Sequence, residues 1–458
     1  MRTNLLPFLP LPPAPAEGHD YIVVGGSPSG IITAERLAEA NKKVLLLLLE
    51  RSITGSTVAR GSNHSLVWND TLTAIDVPGL SFDVGNIDYV GSYLCSDTEG
   101  TAACILGGGV SVNYMVFVHP PDRDFDDKWP MGWKWQEVQA GAERLYLCNP
   151  GNSLPSADSR RHGQVLYNIL ANFFSRVGWR FVDMSAQRNE KYEVCSHPVW
   201  NIENYKLVGL LRTYLPRALQ RANFSLRMDA KVTRVVRDGS RATAPRGRVV
   251  LSAGALSSPQ IPFNSGIGPS AQIETARRSG VAVPPTTDWF NLSVGVDLMN
   301  HPIFSIVGSC TPPAEGVVTI TVYMTHGLTS TGALGLSTSQ KTIFESMVDA
   351  ITAPGTGLEL QEYTITSPIL SSLTAGIHYA GTTRMGLDDG RYPNGTAVVD
   401  TNTKVYGMDN LLRYLWSFPT YIFDSGIHPD LTSDNNQAYI MVVAENAVLR
   451  ILSRPDDE

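Results

Sequence analysis

Between Asp20 and Glu50 the hydrophobic pattern changes period twice. Tyr21–Val24 is an unbroken β-branched and aromatic run that stops at Gly25, as a short strand buried on both faces would. From there Ile31, Ala34, Leu37 and Ala38 recur at helical spacing, which predicts a helix ending near Ala40. Lys43–Leu49 gives a second buried strand, closed by Glu50. Strand, helix and strand in that order form a βαβ unit.

Farther along, KVTRVVRD (Lys231–Asp238) and RGRVVLSAGAL (Arg246–Leu256) predict a strand pair, and Val317–Thr325 a long strand. The run from Ala438 to Ser453 carries a helical pattern. Residues 119–205 are rich in Trp, Pro and polar side chains, with weaker periodicity. The whole predicts an α/β fold with an inserted second region. Prolines at 7, 10, 12, 13 and 15 forbid a helix at the head of the chain, so residues 1–18 read as an extended Pro-rich linker and not as a signal peptide. A leading linker gives the expectation of a further segment ahead of it.

Composition narrows the classes. The 458 residues are 43% hydrophobic and 17% charged, an ordinary globular balance with length for more than one core. Net charge is −7 and no block of basic residues occurs, so nucleic acid is not an expected partner. The longest purely aliphatic run, Val44–Leu49, is far too short to cross a bilayer. The five cysteines (95, 104, 148, 195 and 310) follow no metal-ligand spacing. Asn-x-Ser/Thr sequons stand at Asn63, Asn69, Asn223, Asn291 and Asn394, and they matter only if the chain enters a secretory route.

The candidate chemistry lies at the first strand–helix turn, YIVVGGSPSG. In a dinucleotide fingerprint the first glycine makes the turn, the second lets the pyrophosphate approach, and the third lets helix pack on strand. Gly25 and Gly30 occupy the first and third places, and Ser27 the second. Serine's hydroxyl can hydrogen-bond a phosphate oxygen, and the helix N-terminus adds free N–H groups and a positive dipole end. Glu50 ends the second strand, where an acidic residue would take ribose hydroxyls. By itself the motif fits a bare strand–turn–helix equally well. A second glycine run in CILGGGVSVN, the small residues of LSAGAL, His378 in HYAGTTRMG and Asn435 in DSGIHPDLTSDNNQ shift the balance towards a cofactor site.

Together these motifs, with SGIGP, VTITVYMTHGL and DFDDKWPMGWKW, resemble the glucose–methanol–choline (GMC) oxidoreductases, and within them the flavin domains of fungal cellobiose dehydrogenases. The likeness runs from His19 to Leu452, with gaps. It implies an FAD-binding Rossmann-like domain built from residues 19–118, 206–300 and 396–458, with an inserted α+β substrate domain from 119–205 and 301–395. Gly25, Ser27, Gly30 and Glu50 match ADP-binding positions. Gly108, Ser111 and Asn113 match the loop along pyrophosphate and flavin, and Val232, Ala253, Asp424 and Ser425 further cofactor contacts. Val112 stands where some relatives carry a flavin-linking histidine, which implies non-covalent FAD. His378 matches the active-site base and Asn435 its partner. His301 is read as structural, His326 and His428 as surface or packing residues, and Trp129, Trp133 and Trp135 as core aromatics or sugar platforms. Cys95 and Cys104 share a spacing with the cellobiose dehydrogenase segment, and either a disulfide or a thiol pair is compatible with it.

The resemblance implies oxidation of a sugar C1 hydroxyl to a lactone, in an extracellular setting, with a cytochrome, a quinone or oxygen as electron acceptor. Two alternatives stand beside it: a primary or aryl alcohol as substrate, and a diverged, non-catalytic protein that keeps the fold. The second draws on departures from the family pattern. The connection from His301 to Val317 is short, the region after Leu336 is reduced, and Asn410–Asp424 carries an additional segment, LLRYLWSFPTYIF. Its Arg, Trp and Pro suit a central strand poorly.

Overall fold

A computed structural model describes residues 18–48, 65–66, 68–81, 94–98, 101–238, 241–242, 248–310, 316–323, 358–360, 374–408 and 420–454. Its centre is a five-stranded parallel sheet. We number β1 (Tyr21–Val24), β2 (Val44–Leu47), β3 (Phe224–Arg227) and β4 (Arg248–Leu251), with β9 (Thr420–Ile422) closing the set. The order across the sheet is β9-β4-β1-β2-β3. Tyr21 pairs with Val44 on one side and Arg248 on the other, so β1 is central and its apolar run is buried on both faces.

The helix α1 (Pro28–Glu39) follows β1 as the periodicity predicts. Pro28 sits in the first turn, where its missing N–H removes no helical bond. Ile31, Ala34, Leu37 and Ala38 are fully buried, but so are Thr33, Glu35 and Arg36. The reason is a second layer. The C-terminal helix α3 (Asn436–Leu452) packs along α1, and α2 (Trp135–Cys148) packs on α3. Between α1 and α3 the Arg36 guanidinium meets the Glu445 carboxylate at 2.8 Å, and the Tyr214 hydroxyl donates to Glu445 at 2.6 Å. Paired this way, the charges avoid the several kcal/mol that an isolated buried ion costs.

A second, antiparallel sheet is built on β5 (Pro302–Cys310), which pairs with β6 (Gly316–Tyr323), β7 (Leu358–Leu360) and β8 (Thr374–Ala375). The strand read at Val317–Thr325 is β6. The reading of Lys231–Asp238 as a strand needs correction: only Arg237–Asp238 pairs, in a two-stranded ribbon with Arg241–Ala242. The backbone before it is claimed by side chains instead. Val235 N–H donates to Ser265 Oγ at 2.9 Å, and the Asn264 amide donates to the Thr233 carbonyl at 2.8 Å.

The additional segment before Asp424 is also better used than its composition implies. Its last residues, Thr420–Ile422, are β9, an edge strand paired in parallel with β4. Residues 409–419, like Glu50, His326 and the head of the chain, lie outside the described residues.

Trp129 and Trp133 are core residues and not sugar platforms. Both are buried, and their indole N–H groups donate to Tyr439 Oη and the Thr401 carbonyl at 2.5 and 2.8 Å. Half-buried Trp135 carries the Arg188 guanidinium 4.3 Å from its ring centre. His428 is buried beside Trp129 and Tyr439. Cys95 and Cys104 form a disulfide. Asn223 uses its side-chain amide to hold the Ala38 and Lys42 carbonyls at 2.8 and 2.7 Å, whereas Asn291 and Asn394 are exposed.

Candidate functional site: a glycine-framed cleft with a histidine–asparagine pair

The C-terminal ends of the parallel strands open into a cleft of about 620 Å³. That size and its apolar lining suit a cofactor. The position is the one expected for ligands on an open α/β sheet.

Two glycines create it. Gly25 has φ +106°, and a Cβ there would lie 2.3 Å from the Ser252 carbonyl oxygen. A Cβ on Gly30 would lie 2.0 Å from the Gly25 oxygen, so α1 approaches the turn more closely than any side chain permits. Ser27 lines the cleft between them. Its Oγ accepts from Gly30 N–H at 3.2 Å as the N-cap of α1, which leaves its own proton to donate. The second glycine run is tied to the first by Gly107 N–H donating to the Gly26 carbonyl at 2.8 Å.

Gly25, Ser27, Gly108, Asn113, Val232, Ala253, Asp424, Ser425, His378 and Asn435 all line this one cleft. Two expected contacts do not. Gly30 acts through packing, as above. Ser111 lies behind the glycine run, 3% exposed, and its hydroxyl donates to the Leu106 carbonyl at 2.9 Å, so its side chain braces the loop that lines the cleft. Asp424 reaches the cleft, but its carboxylate is engaged by the protein. Gly426 N–H and Gly254 N–H donate to it at 2.8 and 3.1 Å, and the Ser258 hydroxyl donates as well. Burial pushes its carboxyl pKa up against these donors.

His378 and Asn435 face each other at the other end of the set. Asn435 is the N-cap of α3: its Oδ1 accepts from Gln437 N–H at 3.0 Å, and its Nδ2 lies 3.3 Å from His378 Nε2. The other ring nitrogen, His378 Nδ1, lies 2.8 Å from His301 Nδ1, and His301 Nε2 lies 3.0 Å from the Thr432 carbonyl. His301, read from the sequence as merely structural, is therefore in direct contact with the candidate base. Its one sequence signal is that MNHP falls at a position like the family's. The two segments meet through tertiary pairing, with Gly376 N–H donating to the His301 carbonyl at 2.7 Å and His378 N–H to Asn300 Oδ1 at 2.8 Å. Burial first, and His301 second, lower the His378 pKa to about 3; burial lowers that of His301 to about 4. Both rings are neutral at neutral pH.

Whether FAD fits can be tested on one atom. Met115 N–H donates to Asn113 Oδ1 at 2.8 Å, so the Asn113 amide nitrogen points to Gln437 Oε1, at 2.9 Å. That leaves Gln437 Nε2, on a side chain only 5% exposed at the cleft wall, with no hydrogen-bond partner among the described residues. A buried amide nitrogen left unmet costs about 1–3 kcal/mol. A ligand carrying acceptor atoms, such as the carbonyls of a flavin ring, would relieve it. Gly109 and Gly254, where an added Cβ would meet nothing within 4 Å, leave the adjoining backbone open to such a ligand.

The model for the GMC oxidoreductase N-terminal domain matches residues 87–303, and that for the C-terminal domain residues 332–444, together more than half of the chain. An oxygen-dependent choline dehydrogenase of Vibrio vulnificus is 26% identical over 62% of this chain and 52% of its own length. A 5-(hydroxymethyl)furfural oxidase of a Methylovorus species is 26% identical over 65% of this chain and 59% of its own. The chain thus spans between half and three fifths of the length of these curated relatives. Among solved structures, pyridoxine 4-oxidase from Mesorbium loti superposes with a TM-score of 0.67 at 18% identity, covering 96% of this chain and 100% of the other. An Aspergillus oryzae formate oxidase, studied for its FAD modification, gives 0.69 at 14%, covering 94% and 98%. At these identities the superpositions establish the fold. With the family models and the fit of the cleft, they lead to one conclusion: the chain belongs to the GMC oxidoreductase family, with FAD as its cofactor.

Proposed function

We propose that the protein oxidises the CH–OH group of a small alcohol. The observation that carries this reading is the opposed His378–Asn435 pair in the same cleft as the glycine-framed cofactor wall. FAD, when bound, supplies the hydride acceptor. His378 Nε2 takes the hydroxyl proton, as a neutral imidazole can. The Asn435 amide, donor-only on the side facing His378, orients the substrate oxygen without competing for that proton. Val112 on the cleft wall offers no nucleophile, which supports non-covalent FAD.

For the substrate we favour a primary or aryl alcohol over a sugar C1 hydroxyl. The wall that carries the pair also carries Ile303, Ile377, Tyr379 and Ile440, an apolar and aromatic set. Relatives named as oxidases and oxygen-dependent dehydrogenases support oxygen as electron acceptor over a cytochrome or quinone. The Cys95–Cys104 disulfide and the exposed sequons support passage through an oxidising, secretory compartment.

The test is turnover of benzyl alcohol, choline and cellobiose by flavin-loaded protein, with oxygen uptake and dye reduction measured in parallel. Benzyl alcohol turnover abolished in His378→Ala supports the reading. Flavin-loaded protein that turns over none of the three would return it to a non-catalytic member of the fold. Preferential turnover of cellobiose would restore the sugar assignment.

A further inference from the structure

We propose that His301 is a positioning residue: it fixes His378 as the tautomer protonated at Nδ1, so that Nε2 is left unprotonated beside Asn435 in the cleft, where a substrate hydroxyl can take the place of the Asn435 N–H. This rests on the reading of His378 as the base.

Hydrogen-bond polarity places each proton. A carbonyl oxygen only accepts, so the His301 nitrogen 3.0 Å from the Thr432 carbonyl, Nε2, carries a proton. A neutral His301 then presents a bare Nδ1. That atom lies 2.8 Å from His378 Nδ1, a distance two bare nitrogens or two N–H groups would not share. His378 Nδ1 therefore carries the proton, and Nε2 is bare.

The far end of the chain of contacts gives the same answer independently. Asn435 Oδ1 is occupied by Gln437 N–H, so the atom that meets His378 Nε2 is the amide nitrogen, a donor needing an acceptor. Two anchors, the Thr432 carbonyl at one end and the Gln437 N–H at the other, thus fix every proton between them. The His301 ring is fully buried and stands at 82° to that of His378, and the bonds from Gly376 N–H to the His301 carbonyl and from His378 N–H to Asn300 Oδ1 tie the two segments together.

The same pairing serves the ring once it has taken a proton. As the substrate O–H bond breaks, a bond to His378 Nε2 forms, and the electron pair stays on the substrate oxygen. The imidazolium so formed keeps its Nδ1–H against the His301 lone pair, which can share the positive charge of a ring only 9% exposed.

The experiment is ¹⁵N NMR of histidine-labelled, FAD-loaded full-length protein, with His378 assigned by its loss in His378→Gln. The native enzyme should show His378 protonated at Nδ1 alone. His301→Leu keeps bulk but removes the acceptor: His378 should become a tautomer mixture, and kcat should fall about 100-fold, a part of the 10²–10⁴-fold that general base catalysis supplies. His301→Gln can accept from His378 and donate to Thr432, and should restore the Nδ1 tautomer and most of the rate. Native His378 protonated at Nε2, or an unchanged tautomer in His301→Leu, would overturn the assignment. Should His301→Leu not fold, the native spectrum and His301→Gln still decide it. The predicted tautomer in a protein with no alcohol turnover would uphold His301 and sink only the catalytic role of His378.

Discussion

Gly30→Ala should cost the protein both stability and cofactor. The added methyl would start 2.0 Å from the Gly25 carbonyl oxygen, whereas comfortable contact needs about 3.5 Å. The obstruction is backbone, so no rotamer change relieves it, and α1 must back away from the β1 turn by roughly 1.5 Å. Overpacking of this kind costs about 1–3 kcal/mol. The same retreat stretches the 3.2 Å cap from Gly30 N–H to Ser27 Oγ, worth about 1 kcal/mol. The total, about 2–4 kcal/mol, is a large share of the 5–15 kcal/mol that holds a typical domain. It falls on the segment that faces the cofactor, so FAD should be lost before the fold is. The assay is the flavin-to-protein absorbance ratio after gel filtration, with a urea melt of the same sample. A Gly30→Ala protein that keeps a full complement of FAD and the native urea midpoint would refute the close approach as the reason for glycine here.

Glu445→Gln removes the carboxylate 2.8 Å from Arg36 but leaves Glu39 at 3.0 Å and Glu35 at 3.5 Å, so it should destabilise by about 1–3 kcal/mol; a urea midpoint within error of the native value would count against the α1–α3 clamp. His119, His301, His378 and His428 are held neutral, with pKa values lowered to about 4, 4, 3 and 3 from the ordinary 6.5, chiefly by burial. The unfolded chain takes up these protons from pH 6.5 downward while the native state does not, so stability should be full above pH 6.5 and decline as pH falls towards 4. His428→Gln should flatten that decline, and urea midpoints flat from pH 7 to 5 would contradict it. Cys104→Ala unties Leu94–Asp97 from Thr101–Cys104 at the cleft wall, and should speed FAD release measured by flavin fluorescence; an unchanged rate would mean that these segments are held without the disulfide. In protein from a secretory host, peptide mass mapping should find glycans at Asn291 or Asn394 and none at Asn223, whose amide is committed to Ala38 and Lys42; a glycan at Asn223 would contradict those bonds.

What the sequence made legible was local or carried by glycine. The βαβ unit, β4, β6 and the C-terminal helix emerge from period, and Gly25 and Gly30 from the geometry that a phosphate turn demands. Ten residues that line the cleft could be named because their segments resemble those of a known family. Three things were hidden for physical reasons. Arg36 reads as an outward-facing charge until a second helix covers that face. Thr420–Ile422 becomes a strand because β4 offers it an edge, although its neighbours are poor strand material. His301 joins the site through a contact 77 residues distant in the chain, and no periodicity encodes a contact of that range.

The cleft draws its walls from both ends of the polypeptide: Gly25–Ser29 near the beginning, and Asp424, Ser425 and Asn435–Gln437 near the end. During synthesis the first half of the site therefore waits for most of the chain to emerge. Contacts so remote in sequence are slow to form, and until they do the parallel sheet lacks β9 and α1 lacks its covering helix. The complete FAD wall therefore exists only once these segments have docked. A chain stalled short of α3 would display the nucleotide-binding turn, yet it would have neither the Asn435 cap nor the Gln437 amide to hold what bound there.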